Sequence, residues 1–122
     1  MARIAGDLKE RTVTFGTNVL RAIRALPNDP TSWSISKQFI RAATSIGANV
    51  WEADVAHTDS DFAHKISIAR KEASETLYWL ELIRRTGLLS VEIHGPLSAE
   101  ASELLKVLST VVRKTQEHIG RG

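Results

Sequence analysis

Cysteine is absent from this chain of 122 residues. That excludes disulfide scaffolds, thiolate metal sites, iron–sulfur clusters and cysteine nucleophiles. Proline (three) and glycine (seven) are scarce, so few positions interrupt regular structure. No apolar run approaches the ~20 residues that a membrane span needs. The opening MARIAGDLKERTV carries no apolar signal core. The expectation is a cytoplasmic protein with no membrane contact. A large excess of one charge is also lacking: 16 Lys and Arg stand against 14 Asp and Glu, a net +2. With 43% hydrophobic and 25% charged residues, the chain is too apolar for disorder and ordinary for a globular domain.

The breakers fall at Pro27 to Pro30, at Gly87 and at Gly95–Pro96. The four segments between them have helical rather than strand period. The first spans about residues 7–26, with Asp7 and Glu10 spaced as a capping box and Leu8, Phe15, Val19, Ile23 and Leu26 in one stripe. The second spans about 34–54, with Ile35, Phe39, Ala43, Ile46, Val50 and Ala53 on a face. The third spans about 59–86, opening at Thr58 or Ser60 and closing on Gly87 as the C′ residue. The fourth spans about 97–118, after a cap at Pro96 or Ser98. Four amphipathic helices with short connections predict an all-α, antiparallel up-down-up-down four-helix bundle forming a single domain over 1–122.

Several large apolar residues lie off these stripes: Val13 and Leu20 on the first helix, Ile40 and Trp51 on the second, Ile68, Trp79 and Leu82 on the third. Exposed apolar stripes containing tryptophan mark interfaces, and these seven are the expected contacts between subunits of a homo-oligomer. A pairing of Arg41 with Glu75, within or between subunits, shares the same flanks. The charge is uneven along the chain. Residues 1–51 hold seven basic and three acidic groups, a net +4, which leaves −2 for residues 52–122. Arg21, Arg24, Lys37 and Arg41 all fall away from the core stripes, and are the expected contacts to RNA or DNA phosphates. The same asymmetry can equally serve an acidic neighbouring subunit.

No phosphate loop, nucleophile elbow or HExxH motif is present. A di-iron bundle needs two Glu-x-x-His pairs, and the chain offers only Asp61-Phe62-Ala63-His64. His57, Asp59, Asp61 and His64 have metal-like spacing, yet they sit where a helix opens, and helix capping explains the acids there. No catalytic set, metal or cofactor is expected, and no enzyme. Trp33, Trp51 and Trp79 can stack bases, but no Gly-aromatic platform surrounds them.

SKQFIRAATSIGANVWEA, followed by SDFAHKISIARKEASETLYWLELIRRTGLL, resembles the bacterial four-helix-bundle family of 23S rRNA-intervening-sequence proteins, also called S23-type ribosomal proteins. The shared features are an R-A-A-x-S-I-x-A-N stretch at Arg41 to Asn49, an acidic helix end at Glu52 and the Asp61-Phe62 opening. A long helix then ends in Trp79-Leu80 and Gly87-Leu88-Leu89. The resemblance covers about residues 7–90. It implies an antiparallel bundle, a homopentameric ring and no established catalysis. It also extends to the accessory proteins of diversity-generating retroelements, pentamers that bind nucleic acid and are far more basic than this chain. Two roles follow as expectations. One is weak nucleic-acid binding through the basic surface of the first two helices; the other is a scaffold whose ring holds a protein partner.

Overall fold

The computed structural model describes residues 3–4 and 6–121. Four helices follow one another: α1 (Leu8–Ala22), α2 (Pro30–Asp54), α3 (Asp59–Thr86) and α4 (Val91–Arg121). Each packs on the next, and α4 closes back on α1 more loosely. Among the described residues there is no strand. The chain is an antiparallel four-helix bundle, as the periodicity predicts.

The helix ends show why the chain folds here. Pro27 forbids helical geometry at Leu26, which is extended (φ −71°, ψ 147°). Helix α1 therefore ends in a 3₁₀ turn, Ile23–Ala25, instead of running on to Leu26. Asp29 then caps α2 by accepting the Ser32 amide at 2.8 Å, with Pro30 at the first helical position. Helix α2 thus opens one turn before the expected residue 34. The Pro27–Pro30 cluster reads as loop, but only its first proline breaks a helix; the second begins one. Thr58 caps α3 through its hydroxyl, which accepts the Asp61 amide at 3.0 Å. Gly87 ends α3 at φ 69°, where Leu88 N–H bonds Ile83 O and Gly87 N–H bonds Arg84 O.

Two expectations about helix starts fail. Asp7 makes no side-chain cap. Its backbone (φ −100°, ψ 14°) lies outside the extended region from which a capping carboxylate reaches back, so the capping box with Glu10 does not form. Helix α4 starts at Val91, six residues before the expected 97. The Ser90 carbonyl takes the Ile93 and His94 amides, and Pro96 lies inside the helix. Proline there removes one bond, to Glu92 O, near an end where few bonds exist to lose. Ile93 and Leu97 repay it by carrying the apolar stripe on to Ala101, Leu104, Leu108 and Val112.

The core runs the length of the bundle. Phe15 and Val19 of α1 meet Phe39, Ile46 and Val50 of α2, with Ile66, Leu80 and Ile83 of α3 and Leu104 and Leu108 of α4. Alanines (42, 43, 53, 69, 73, 101) are fully buried among them and let the helices approach.

Candidate functional site

The charge asymmetry is largely consumed inside the molecule. Arg3 pairs with Asp59 at 2.7 Å, and Lys9 with Asp54 at 3.1 Å. Arg11 grips Glu100 through two bonds of 2.9 and 3.2 Å. Arg41 bonds Glu72 at 3.2 Å and also Glu75. Four of the seven cations in residues 1–51 therefore meet carboxylates from residues 52–122. The excess of one half is complementary to the deficit of the other. Arg41 is exposed, as its place away from Phe39 requires, but two glutamates of its own chain already match its charge. Glu75 is held below the ordinary carboxylate range, first by the Trp79 indole N–H at 3.0 Å and then by Arg41.

Arg21, Arg24 and Lys37 remain. All three are exposed, and no carboxylate among the described residues pairs with them. They lie at one end of the bundle, on the last turn of α1, the 3₁₀ turn and the early part of α2. Arg21 lines a cleft of about 560 Å³ between α1 and α4, with an apolar floor of Phe15, Ile93 and Leu97 and with Glu92 on the rim.

The apolar residues left off the core stripes separate into two groups. Val13 (44% exposed), Leu20 (46%) and Trp51 (46%) line one shallow groove of about 360 Å³ between α1 and α2. Ile40, half-buried, lies one turn before the groove residue Thr44 and extends the same row. Trp51 is fixed in place: its indole N–H donates to Lys9 O at 3.3 Å, and the Lys9 ammonium sits 4.2 Å from its ring. Ile68, Trp79 and Leu82 are half-buried on α3. Trp79 packs against the core, bonds Glu75 and meets Tyr78 edge-on at 5.1 Å, so it has partners within its own chain.

The cluster at the opening of α3 acts in structure. Asp59 holds Arg3, and His118 Nε2 lies 3.5 Å from its other oxygen. Together these draw its carboxyl below the usual range, Arg3 foremost. Among the described residues no three His, Asp or Glu side chains converge on a metal-sized point. Thr58, rather than Asp59 or Asp61, provides the side-chain cap.

Trp33 is named by the sequence only as a tryptophan able to stack a base, and Ser32 not at all, because the expected helix begins after them. With α2 opening at Pro30, both stand on its first turn, beside Arg24. The Asp29-Pro30 pair is the signal that places them there.

A sequence profile of the family described as 23S rRNA-intervening sequence protein matches residues 7–110. No match is found among curated proteins. Among solved structures, the chain is similar to a protein of unknown function from the S23 ribosomal protein family of Bacteroides thetaiotaomicron. The two share 36% sequence identity and superpose with a TM-score of 0.80, over 86% of this chain and 97% of the other. The matched span takes in α1, α2, α3 and most of α4, the whole frame that carries the groove and the unpaired cations. The chain belongs to the 23S rRNA-intervening sequence protein family.

Proposed function

We propose that this protein is a non-enzymatic, self-associating bundle that contacts nucleic acid through the α1–α2 end. One observation carries the reading: Arg21, Arg24 and Lys37 stay exposed and unmatched among the described residues, while the other four cations of residues 1–51 are bound to carboxylates. Three free cations on one end of a subunit, repeated by the symmetry of an oligomer, make a basic surface without a large net charge. Binding through phosphates alone is sequence-tolerant and salt-sensitive. The α1–α2 groove supplies the self-association surface, because Val13, Leu20 and Trp51 stay about half exposed along it. A homopentamer is the assembly favoured by the family resemblance.

Mobility-shift titration of RNA at 50 mM salt and tens of micromolar protein tests the reading. A shift is expected, and Arg21→Glu with Arg24→Glu abolishes it without changing the light-scattering mass. If no shift occurs, a protein-binding scaffold takes its place, for which the same exposed apolar groove is the supporting observation.

A further inference from the structure

The three tryptophans are in different states. Trp51 carries the Lys9 ammonium on its ring, and Trp79 is half-buried between Glu75 and Tyr78. Trp33 is 58% exposed and, among the described residues, has no aromatic or cationic partner. It is nonetheless not loose. Its indole N–H donates to Asn28 Oδ1 at 2.8 Å, which fixes the plane of the ring and leaves ring surface open to solvent.

Trp33 borders a small cleft of about 280 Å³ at the α1–α2 turn, with Arg24, Asn28, Ser32 and Ser36 around it and Ile23 and Leu26 beneath. No acidic side chain lines this cleft. Arg21's cleft, by contrast, includes Glu92 and Glu100, and that of Lys114 includes Asp59. The cleft also holds a buried polar atom with no partner among the described residues, Ser32 Oγ. Ser32 is 1% exposed, and a buried hydroxyl that makes no bond is costly unless something else completes it. Lys37 stands one turn along α2 from Trp33, on the same side.

We propose that this cleft takes one unstacked base of a single-stranded nucleic acid, with the base on the Trp33 ring and the adjoining phosphate on Arg24. The proposal rests on the nucleic-acid reading above and narrows its ligand. Free aromatic surface beside a cation is the combination that single strands use, since every base has a π-face and a duplex keeps its bases stacked inside. The volume lies just under the ~300–1,000 Å³ of drug-sized sites, which suits one nucleotide. The free amide hydrogens of Asn28 supply hydrogen bonds for the base edge.

Fluorescence anisotropy of a labelled ten-nucleotide strand, and of the blunt duplex of the same length, separates the possibilities. Trp33→Ala is expected to weaken strand binding about tenfold or more, the worth of a lost stack. Duplex binding stays within about twofold, and Trp33→Phe recovers most of the loss. Arg24→Ala makes the log–log salt slope on the strand shallower by about 0.7, one phosphate. If the native protein binds the strand and Trp33→Ala binds it equally well, the stacking site is refuted and the phosphate reading survives. Equal losses on strand and duplex with an unchanged melting temperature refute it too. A native protein that binds neither overturns both readings. Should Trp33→Ala fail to fold, Trp33→Leu, which keeps apolar bulk without a π-face, is measured in its place; strand binding equal to that of the native protein refutes the site.

Discussion

Gly47 of α2 packs directly on α1: a Cβ built on it would stand 3.0 Å from Thr12 Oγ1 and 3.1 Å from Thr12 Cβ. Thr12 is buried, and its hydroxyl is bound to Lys9 O at 2.7 Å, so it has little freedom to yield. Gly16, across the same contact, would place its Cβ at an ordinary 4.0 Å from Thr44. Both glycines lie in helices, where alanine is intrinsically better by roughly 1 kcal/mol. Gly16→Ala is therefore expected to stabilise by up to ~1 kcal/mol in denaturant unfolding. Gly47→Ala loses that gain to overpacking and comes out destabilised by about 1 kcal/mol. Thr12→Ala, which removes the nearest crowding atom, Oγ1, should recover part of the overpacking cost in the double variant. In the sequence, Gly47 between Ile40 and Trp51 looks like a gap in an interface stripe. The reason it is glycine is Thr12 on another helix, 35 residues earlier in the chain, and no local pattern carries that.

At the scale of the helix, the caps separate what the spacing can tell from what it cannot. Asp29 and Thr58 each accept an amide at the opening of a helix, so Asp29→Ala and Thr58→Ala should each cost about 1 kcal/mol by thermal or denaturant unfolding. Asp7 makes no such bond, and Asp7→Ala should fall within ~0.5 kcal/mol of the native protein. By residue type alone all three are good caps. They differ in backbone geometry, extended at Asp29 and Thr58 and not at Asp7, which follows Gly6 at φ 72°. The body of each helix was legible because its apolar period persists over several turns. The starts of α2 and α4 were not, since one proline ends a helix, another begins one, and Pro96 sits inside one. At the far end of α2, Asp54 is buried with its carboxylate near the negative pole of the helix. The Ile4 amide at 2.7 Å offsets this first, then Lys9 and the Arg3 amide, and they lower its pKa below the ordinary carboxylate value of 3.8. A depressed carboxyl contributes stability above its unfolded pKa and loses it as pH falls through the folded one. The anchoring of Arg3 and Ile4 should thus hold above about pH 4 and release below it. Amide exchange at Ile4 reports it, and Asp54→Ala, which removes the acceptor, should show fast exchange already at neutral pH.

For the molecule as a whole, net charge by halves could be read from the sequence, but its meaning could not. The +4 of residues 1–51 invites a polyanion until Arg3, Lys9, Arg11 and Arg41 are seen to meet Asp59, Asp54, Glu100 and the Glu72–Glu75 pair. Such pairs are long-range in sequence, and no spacing rule announces them. Of the four cations that face away from the core stripes, then, three are free and one is matched, and salt dependence distinguishes them. Each phosphate contact on a single strand contributes about 0.7 to the log–log slope, so Arg21, Arg24 and Lys37 together account for about −2 per subunit engaged. Arg21→Ala, Arg24→Ala and Lys37→Ala should each make the slope shallower by about 0.7 per subunit engaged. Arg41→Ala should leave it unchanged, while freeing Glu72 and Glu75 beside Trp79 and so weakening binding slightly through repulsion. A slope that falls with Arg41→Ala as it does with Arg24→Ala would place Arg41 in the phosphate contact after all. Assembly is read independently on the same samples. Trp51→Glu removes the largest apolar side chain of the α1–α2 groove and sets a carboxylate there, beside a Lys9 that Asp54 already holds, so an interface would bury an excess charge. Light scattering should then fall from a multiple of 13.5 kDa to the monomer. Since Arg21, Arg24 and Lys37 are untouched, each monomer should keep its own slope but lose the affinity gained by presenting several basic ends to one strand. A native protein that already scatters as a monomer would refute the groove as an assembly surface.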